Sequence, residues 1–284
     1  MAKYVTVQVT KKEPPVVSGR GAERCTECGR PLTAEELKAS HRVCPHCAHH
    51  FRMPGPERIE LLADPGTART IADDLRPGDP LNFFDLRPYP ERVSEAQLES
   101  GLSEAFIATV CRLDGRPVAL GVMDFRFLGG SMGSVVGERF SRLAHTAVEN
   151  SMPMIAVAAS GGARMQEGLI SLMQMAKTVV ARQLLAEAHL PFVTVLTHPT
   201  TGGVFASFST VADVIMAEPG AFMVFAGPRV IEQTTREKLP PGFGMAEMQL
   251  ANGQLDMVVD RRELKARIAL TLKLLLGGGA DGAR

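Results

Sequence analysis

The feature that most constrains this chain is a quartet of cysteines. Cys25-x-x-Cys28 and Cys44-x-x-Cys47 are separated by 15 residues, the spacing of a four-cysteine zinc ribbon. Two intervening residues let both thiolates of a pair face one ion from a tight turn, and a second such turn completes a tetrahedron. Gly29 supports the first turn and Pro45 stiffens the second. A site filled by four thiolates has no open coordination position, so it is structural rather than catalytic. His41, His46, His49 and His50 share this stretch but find no place in a filled tetrahedron. Residues 25–50 therefore read as a small zinc module. Cys111 lies in an apolar run and reads as a buried, inert thiol.

The rest of the 284 residues suit one large domain. Hydrophobic residues make up 45% of the chain, which has no Trp and two Tyr, so the core must rest on aliphatic side chains and Met. A formal net charge of zero excludes a global field that would steer the protein to nucleic acid or anionic lipid. No apolar run reaches the ~18 residues that span a bilayer. The stretch before Cys25, with Lys3, Lys11, Lys12 and Glu13, has no secretion signal, which points to the cytoplasm. Five cysteines, an odd number, speak against a disulfide framework.

The expected organisation is a polar tail over 1–24, the zinc module over 25–50, a Pro-, Gly- and Asp-rich connector packed along the main domain over 51–103, an α/β domain over 104–276 and a second tail over 277–284. The connector holds a short helix at Pro56 to Leu62. Strands are expected at Phe106 to Arg112 and Pro117 to Phe125, joined by an Asp114-Gly115 hairpin turn. Further strands fall at Met154 to Ala159, Phe192 to Leu196, Val214 to Ala217, Phe222 to Phe225 and Leu255 to Val259. Apolar residues recurring every three to four positions predict a helix over Arg164 to Ala188. Two more helices are expected at Arg229 to Leu239 and Arg262 to Leu276. Strand–strand–helix units with glycine-rich junctions fit an α/β fold of stacked sheets with outer helices, a pattern shared with doubly wound sheets.

Three segments carry more glycine than packing requires: Leu128 to Ser134, Ala159 to Gln166, and Thr200 to Val204. The second and third run from an apolar strand through Gly-Gly into a helix. Such junctions let backbone approach a ligand and aim N–H groups at an anion or a developing oxyanion. Neither is a P-loop or a dinucleotide fingerprint, and each alone is equally compatible with a tight turn. Ser160 at a strand–helix junction raises a serine hydrolase, but Ala158 stands where G-x-S-x-G requires glycine.

Together the segments resemble a known family. Gly129-Gly-Ser-Met-Gly-Ser-Val-Val-Gly137, Ser160-Gly-Gly-Ala-Arg-Met-Gln-Glu167, Ser171-Leu-Met-Gln-Met-Ala-Lys177, Phe225-Ala-Gly-Pro-Arg-Val-Ile-Glu-Gln233 and Arg236-Glu-Lys-Leu-Pro-Pro-Gly-Phe243 are similar to the zinc-ribbon-bearing beta subunits of bacterial-type acetyl-CoA carboxyltransferases. The resemblance runs from about Cys25 to the final helix. It implies a crotonase-type spiral of strand–strand–helix units and transfer of a carboxyl group from carboxybiotin to acetyl-CoA, giving malonyl-CoA for fatty acid synthesis. It implies an alpha subunit partner in an alpha2beta2 heterotetramer, a biotin carboxyl carrier protein, and biotin carboxylase in the larger complex. By motif position, Gly202 and Gly203 match the family's oxyanion-hole glycines. Gly161 and Gly162 match a neighbouring loop placed against the acyl-CoA. Arg164 and Arg229 are either contacts for CoA phosphates or ordinary salt bridges.

The chain departs from the family at His198, where Asp is usual, at Phe205-Ala-Ser207, and over Gly244 to Gln249. None of these removes a glycine donor. Two other readings stay open. Arg24, Arg30, Lys38, Arg42, Arg52 and Arg58 around the zinc module fit RNA contact or a nucleic-acid-binding regulatory protein. A crotonase-fold hydratase would need paired glutamates, for which Glu138, Glu167 and Glu218 are available without a spacing that pairs them.

Overall fold

The computed structural model describes residues 22–277; the two tails expected at 1–24 and 277–284 lie almost wholly outside the described residues. The chain forms two compact units that divide between His49 and His50. In the first, β1 (Ala22–Arg24) and β2 (Pro31–Thr33) pair antiparallel, so the first described residues are strand rather than tail. Helix α1 (Ala34–Ala39) follows, opened by a capping box in which Thr33 and Glu36 satisfy each other's backbone N–H.

The second unit is built on an eight-stranded sheet of β3 (Arg69–Ile71), β4 (Phe106–Leu113), β5 (Arg116–Met123), β6 (Met154–Ser160), β7 (Phe192–Thr201), β8 (Val214–Ala217), β9 (Met223–Val224) and β10 (Met257–Val258). The order is β10-β8-β7-β6-β5-β4-β3, with β9 on the far end of β7. Helices α2 (Gly55–Leu62), α3 (Tyr89–Ser100), α4 (Ser134–Glu149), α5 (Leu169–Glu187), α6 (Gly202–Phe205), α7 (Pro228–Thr235), α8 (Ala246–Ala251) and α9 (Leu264–Leu275) connect or cover the strands. The β4–β5 hairpin turns on Asp114 and Gly115 at φ 51° and 76°, the left-handed pair that a two-residue turn requires.

The central strands are buried on both faces, as a parallel sheet demands. Along β6, Met154, Ala156 and Ala158 face one core while Ile155 and Val157 face the other. The first core is capped by α4 and filled by Phe106, Phe140, Phe192 and Phe208, whose rings pack at centroid distances of 4.8–6.0 Å. The second holds branched side chains against α2 and α9, with Leu62, Ile268 and Leu272 buried.

Two helices escape the periodicity reading. α4 begins inside the glycine-rich segment, where no helix is expected from the sequence. The helix buries Val136, Phe140, Leu143, Ala144 and Ala147 at helical spacing, and Gly137 lets α5 lie so close that a Cβ there would overlap the Gln174 side chain. α3 has little apolar content, but Pro90 in its first turn and Gly101 in the left-handed C-terminal position mark its ends. The single helix expected from Arg164 is instead a 3-10 turn over Met165–Glu167 and then α5. Gly168 breaks it at φ 52°, ψ −130°, a backbone state essentially confined to glycine. Residues 51–103 supply a strand of the sheet through β3, paired with β4, and core side chains through Tyr89 and Val93.

Candidate active site and metal centre

The metal centre is built by two similar turns. Gly29 N–H donates to Cys25 O and Ala48 N–H to Cys44 O, both at 2.9 Å. Cys25 N–H donates to Arg30 O and Cys44 N–H to His49 O. The four sulfurs lie within 4.8 Å of one another, with Cys25–Cys47 at 3.6 Å and Cys28–Cys44 at 3.8 Å. Zinc–sulfur bonds of about 2.3 Å in a tetrahedron give sulfur–sulfur edges of about 3.8 Å, so the donors fit zinc. Burial raises the Cys44 thiol, but the N–H groups of His46 and Cys47 aimed at its sulfur bring it down to about 7. His46 hydrogen-bonds Arg30 and His49 hydrogen-bonds Thr26.

Gly29 and Ala48 occupy the same place in the two turns, at φ 69° and 59°. A left-handed alanine costs roughly 1–2 kcal/mol. Ala48→Gly is expected to stabilise the metal-bound module by about 1 kcal/mol, read as a higher chelator concentration for half-removal of zinc.

The three glycine-rich segments meet at the carboxyl ends of β6 and β7. Gly161 N–H donates to Gly129 O (2.9 Å), Met132 N–H to Gly162 O (2.8 Å), and Arg164 N–H to Met132 O (2.9 Å). The second and third segments touch through backbone at Gly162 and Gly202, and Thr201 Oγ1 donates to Ser160 O at 3.2 Å. A Cβ on Gly202, at φ 58°, would lie 3.1 Å from Gly162 Cα, and one on Gly162 would lie 3.3 Å from Gly202 Cα. Gly130 abuts Ala159 O so tightly that a Cβ would overlap it. A register shift between Ala158 and Ser160 leaves Ala158 O to the hydroxyls of Thr197 and Thr200, at 2.8 and 3.1 Å. Gly202 and Gly203 open α6, so their N–H groups have no intrahelical acceptor.

Of the two readings open for Arg164, its geometry fits a salt bridge and not a contact with a CoA phosphate. The side chain is fully buried, and its guanidinium is used inside the protein. Nη1 donates to Glu104 Oε2 (2.7 Å) and Tyr89 Oη (3.1 Å), Nη2 to Glu104 Oε1 and Ser131 O (2.7 Å), and Nε to Ser131 Oγ (3.0 Å). Burial opposes its charge, but Glu104 more than compensates and holds it above its ordinary value. Burial also pushes the Tyr89 phenol well above its usual range, keeping it a donor to Glu167 Oε1 at 2.8 Å. The other oxygen, Glu167 Oε2, accepts from Ser134 N–H at 2.6 Å, at the N-terminus of α4, where negative charge is favoured. Spacing alone contained no signal for Glu104 or Tyr89. Arg229 is exposed in the first turn of α7.

The hydrolase and hydratase readings lose their residues. Ser160 is buried, and its Oγ accepts from Gly162 N–H at 2.9 Å and faces Gly162 O, where a hydrolase would need a histidine. Glu167 belongs to the Arg164 network. Glu218 is buried between Arg58 and Arg261. Glu138 pairs with Arg142 and Lys177 on the surface of α4. His198 is exposed, and its Nδ1 accepts from Phe222 N–H at 3.3 Å. Cys111 is buried and its thiol is pushed up to about 11 by burial, as expected of an inert side chain. No helix among the described residues is long and apolar enough to cross a membrane.

Comparison with known proteins agrees with this geometry. A carboxyl transferase domain matches residues 85–274. The chain is 46% identical over 277 residues to the acetyl-coenzyme A carboxylase carboxyl transferase subunit beta of Protochlamydia amoebophila, covering 98% of this chain and 90% of that one. It is 51% identical over 257 residues to the subunit of the same name from Thermus thermophilus, covering 90% of each. Among solved structures, transcarboxylase 12S superposes with a TM-score of 0.66 at 23% identity, over 85% of this chain and 44% of that one. A Pseudomonas malonate decarboxylase hetero-dimer chain superposes at 0.60 and 22% identity, over 78% of this chain and 86% of that one. These neighbours share the crotonase-like α/β fold expected here, and the matched domain does not favour a nucleic-acid-binding regulator. By sequence and by fold, the chain belongs to the family of acetyl-coenzyme A carboxylase carboxyl transferase beta subunits.

Proposed function

We propose that this chain, together with an alpha subunit, transfers a carboxyl group from carboxybiotin to acetyl-CoA, and that the N–H groups of Gly202 and Gly203 stabilise the oxygen charge that develops. The observation that carries the reading is the convergence of three glycine-rich segments on one backbone-lined point. Carboxybiotin, delivered on a carrier protein, supplies the carboxyl group and a base for the acetyl methyl. The chain's task is then to stabilise the thioester enolate that attacks the released carboxyl carbon. Fixed backbone donors suit that task better than an acid–base side chain, because they need no reorganisation as charge develops. Gly161 and Gly162 lie beside these donors, where the acyl group would sit. Arg229 remains the exposed cation for a CoA phosphate. Zinc, held by Cys25, Cys28, Cys44 and Cys47, would serve a structural part.

A partner is needed to close such a site. Next to the glycines, Met165, Leu169, Leu172 and Met173 are each more than half exposed. An apolar patch of this kind marks an interaction surface, here one for the alpha subunit of an alpha2beta2 assembly working with biotin carboxylase and the biotin carrier.

The test is malonyl-CoA-dependent carboxylation of free biotin, the reverse reaction, with purified alpha subunit. Activity is expected only when both subunits are present. Gly203→Pro removes one donor and is expected to lower kcat by about 10²–10³-fold, the usual effect of losing an oxyanion donor. Gly203→Ala keeps the N–H and sets its Cβ 3.0 Å from Met175 Sδ, a flexible end that can move, so kcat should stay within about tenfold. Equal losses in the two variants would mean that space at Gly203, not its N–H, matters.

A further inference from the structure

We infer that Glu104, which lies outside every glycine-rich motif, is a positioning residue for the carboxyl transfer proposed above: through Arg164 it sets the loops against which Gly202 and Gly203 are placed. The inference rests on that functional reading and adds a residue to it.

A guanidinium has five N–H donors, and all five of Arg164 have partners. Two go to Glu104, two to Ser131 and one to Tyr89. Glu104 supplies the fork that matches the guanidinium in its plane, an arrangement that fixes orientation as well as charge. Glu104 is itself fully buried, just before β4. Its Oε1 also accepts from Ala105 N–H at 2.7 Å, so the carboxylate is anchored to the strand that follows it.

The other side of Arg164 holds both loops. Ser131 belongs to the first glycine-rich segment, and Arg164 to the second. The two are joined by the pair of Met132 hydrogen bonds with Gly162 and Arg164. Gly162 in turn meets Gly202 backbone to backbone. The chain of contacts thus runs from Glu104 through Arg164 to Gly162 and ends at the proposed donors. Gly133 is glycine for the same reason: a Cβ there would overlap Glu167 and lie 2.9 Å from Arg164 Nη1. A buried polar network that is satisfied at every donor holds one geometry. A displacement of about 1 Å at the donors can cost about 10²-fold in rate.

The experiment uses the reconstituted two-subunit enzyme in the reverse assay, at a temperature where circular dichroism shows each variant folded. Glu104→Gln keeps the shape and removes the charge. It is expected to lower kcat by about 10–100-fold, with KM for malonyl-CoA changing less than kcat, because Glu104 itself contacts none of the residues placed against the substrate. Tyr89→Phe removes one hydroxyl from the same network and should lower kcat by about 3–10-fold. It becomes the deciding variant if Glu104→Gln does not fold. Glu218→Gln breaks a different buried ion pair and serves as the stability control: it should lower Tm while kcat stays within about twofold. The inference is overturned if Glu104→Gln and Tyr89→Phe both keep wild-type kcat, or if Glu218→Gln loses as much kcat as Glu104→Gln. An inactive wild-type pair would instead overturn the functional reading beneath it.

Discussion

Chelation of zinc is expected to unfold residues 22–49 while residues 50–277 continue to melt as a cooperative unit. The first unit buries only three aliphatic side chains among its described residues, Leu32, Leu37 and Val43. Each is worth about 1.5–3 kcal/mol, too little to order a segment made otherwise of turns and short strands. Zinc bound to four thiolates contributes about 10–16 kcal/mol in comparable modules. Strong chelators, or Cys28→Ser, should therefore remove the β1–β2 pairing and α1. Limited proteolysis would show new cuts between 22 and 49, and metal analysis would fall from one zinc per chain. The second unit has its own cores on both sheet faces, so its melting transition should persist. A module that stays protease-resistant after complete removal of zinc would contradict a structural role for the metal.

Loss of Glu218 is expected to be among the most damaging single changes in the sheet domain. Its carboxylate accepts from Arg58 Nη1 at 2.6 Å and from Arg261 Nε and Nη2 at 2.8 and 2.5 Å. All three side chains are buried. Removing one partner of a buried ion pair leaves uncompensated charge and costs about 3–5 kcal/mol. Glu218→Gln should lower stability by that amount at pH 7, measured by urea unfolding. Burial alone would raise the Glu218 carboxyl, but the two arginines outweigh it and bring it down to about 2, from an ordinary 4.5. A carboxylate held below its unfolded value stabilises the fold above that value. The contribution is therefore complete above about pH 4.5 and fades as pH falls toward 2. Comparing wild type with Glu218→Gln at pH 7 and pH 3 isolates it, since zinc release in acid affects both. The gap between them should shrink at the lower pH. A gap that does not change would assign the loss to packing rather than charge.

Much of this molecule was legible because its signals are local. The cysteine pairs need only their own spacing to converge on one ion. Asp114-Gly115 specifies a turn through its backbone freedom. Strands β4 to β8 were readable as apolar runs, since a sheet buried on both faces has no polar alternation to blur them. The glycine pairs were visible as anomalies, and resemblance gave them a role.

The misreadings came where distant parts of the chain meet. No helix is expected over α4, whose start lies in a glycine-rich segment and whose Gly137 answers to Gln174 on α5, 37 positions away in sequence. The helix expected from Arg164 breaks at Gly168, so that Glu167 can turn inward to Tyr89 and the first turn of α4.

What the sequence alone determined is the zinc module, the α/β class, the main strands and the glycines that can bring backbone to a ligand, because each depends on neighbours a few residues apart. Only the tertiary structure decided what Arg164 does. This guanidinium reads equally as a phosphate contact or a salt bridge until Glu104, 60 residues earlier, is seen to take it. A buried charge is stable only where its partner is, and that partner is chosen by the fold.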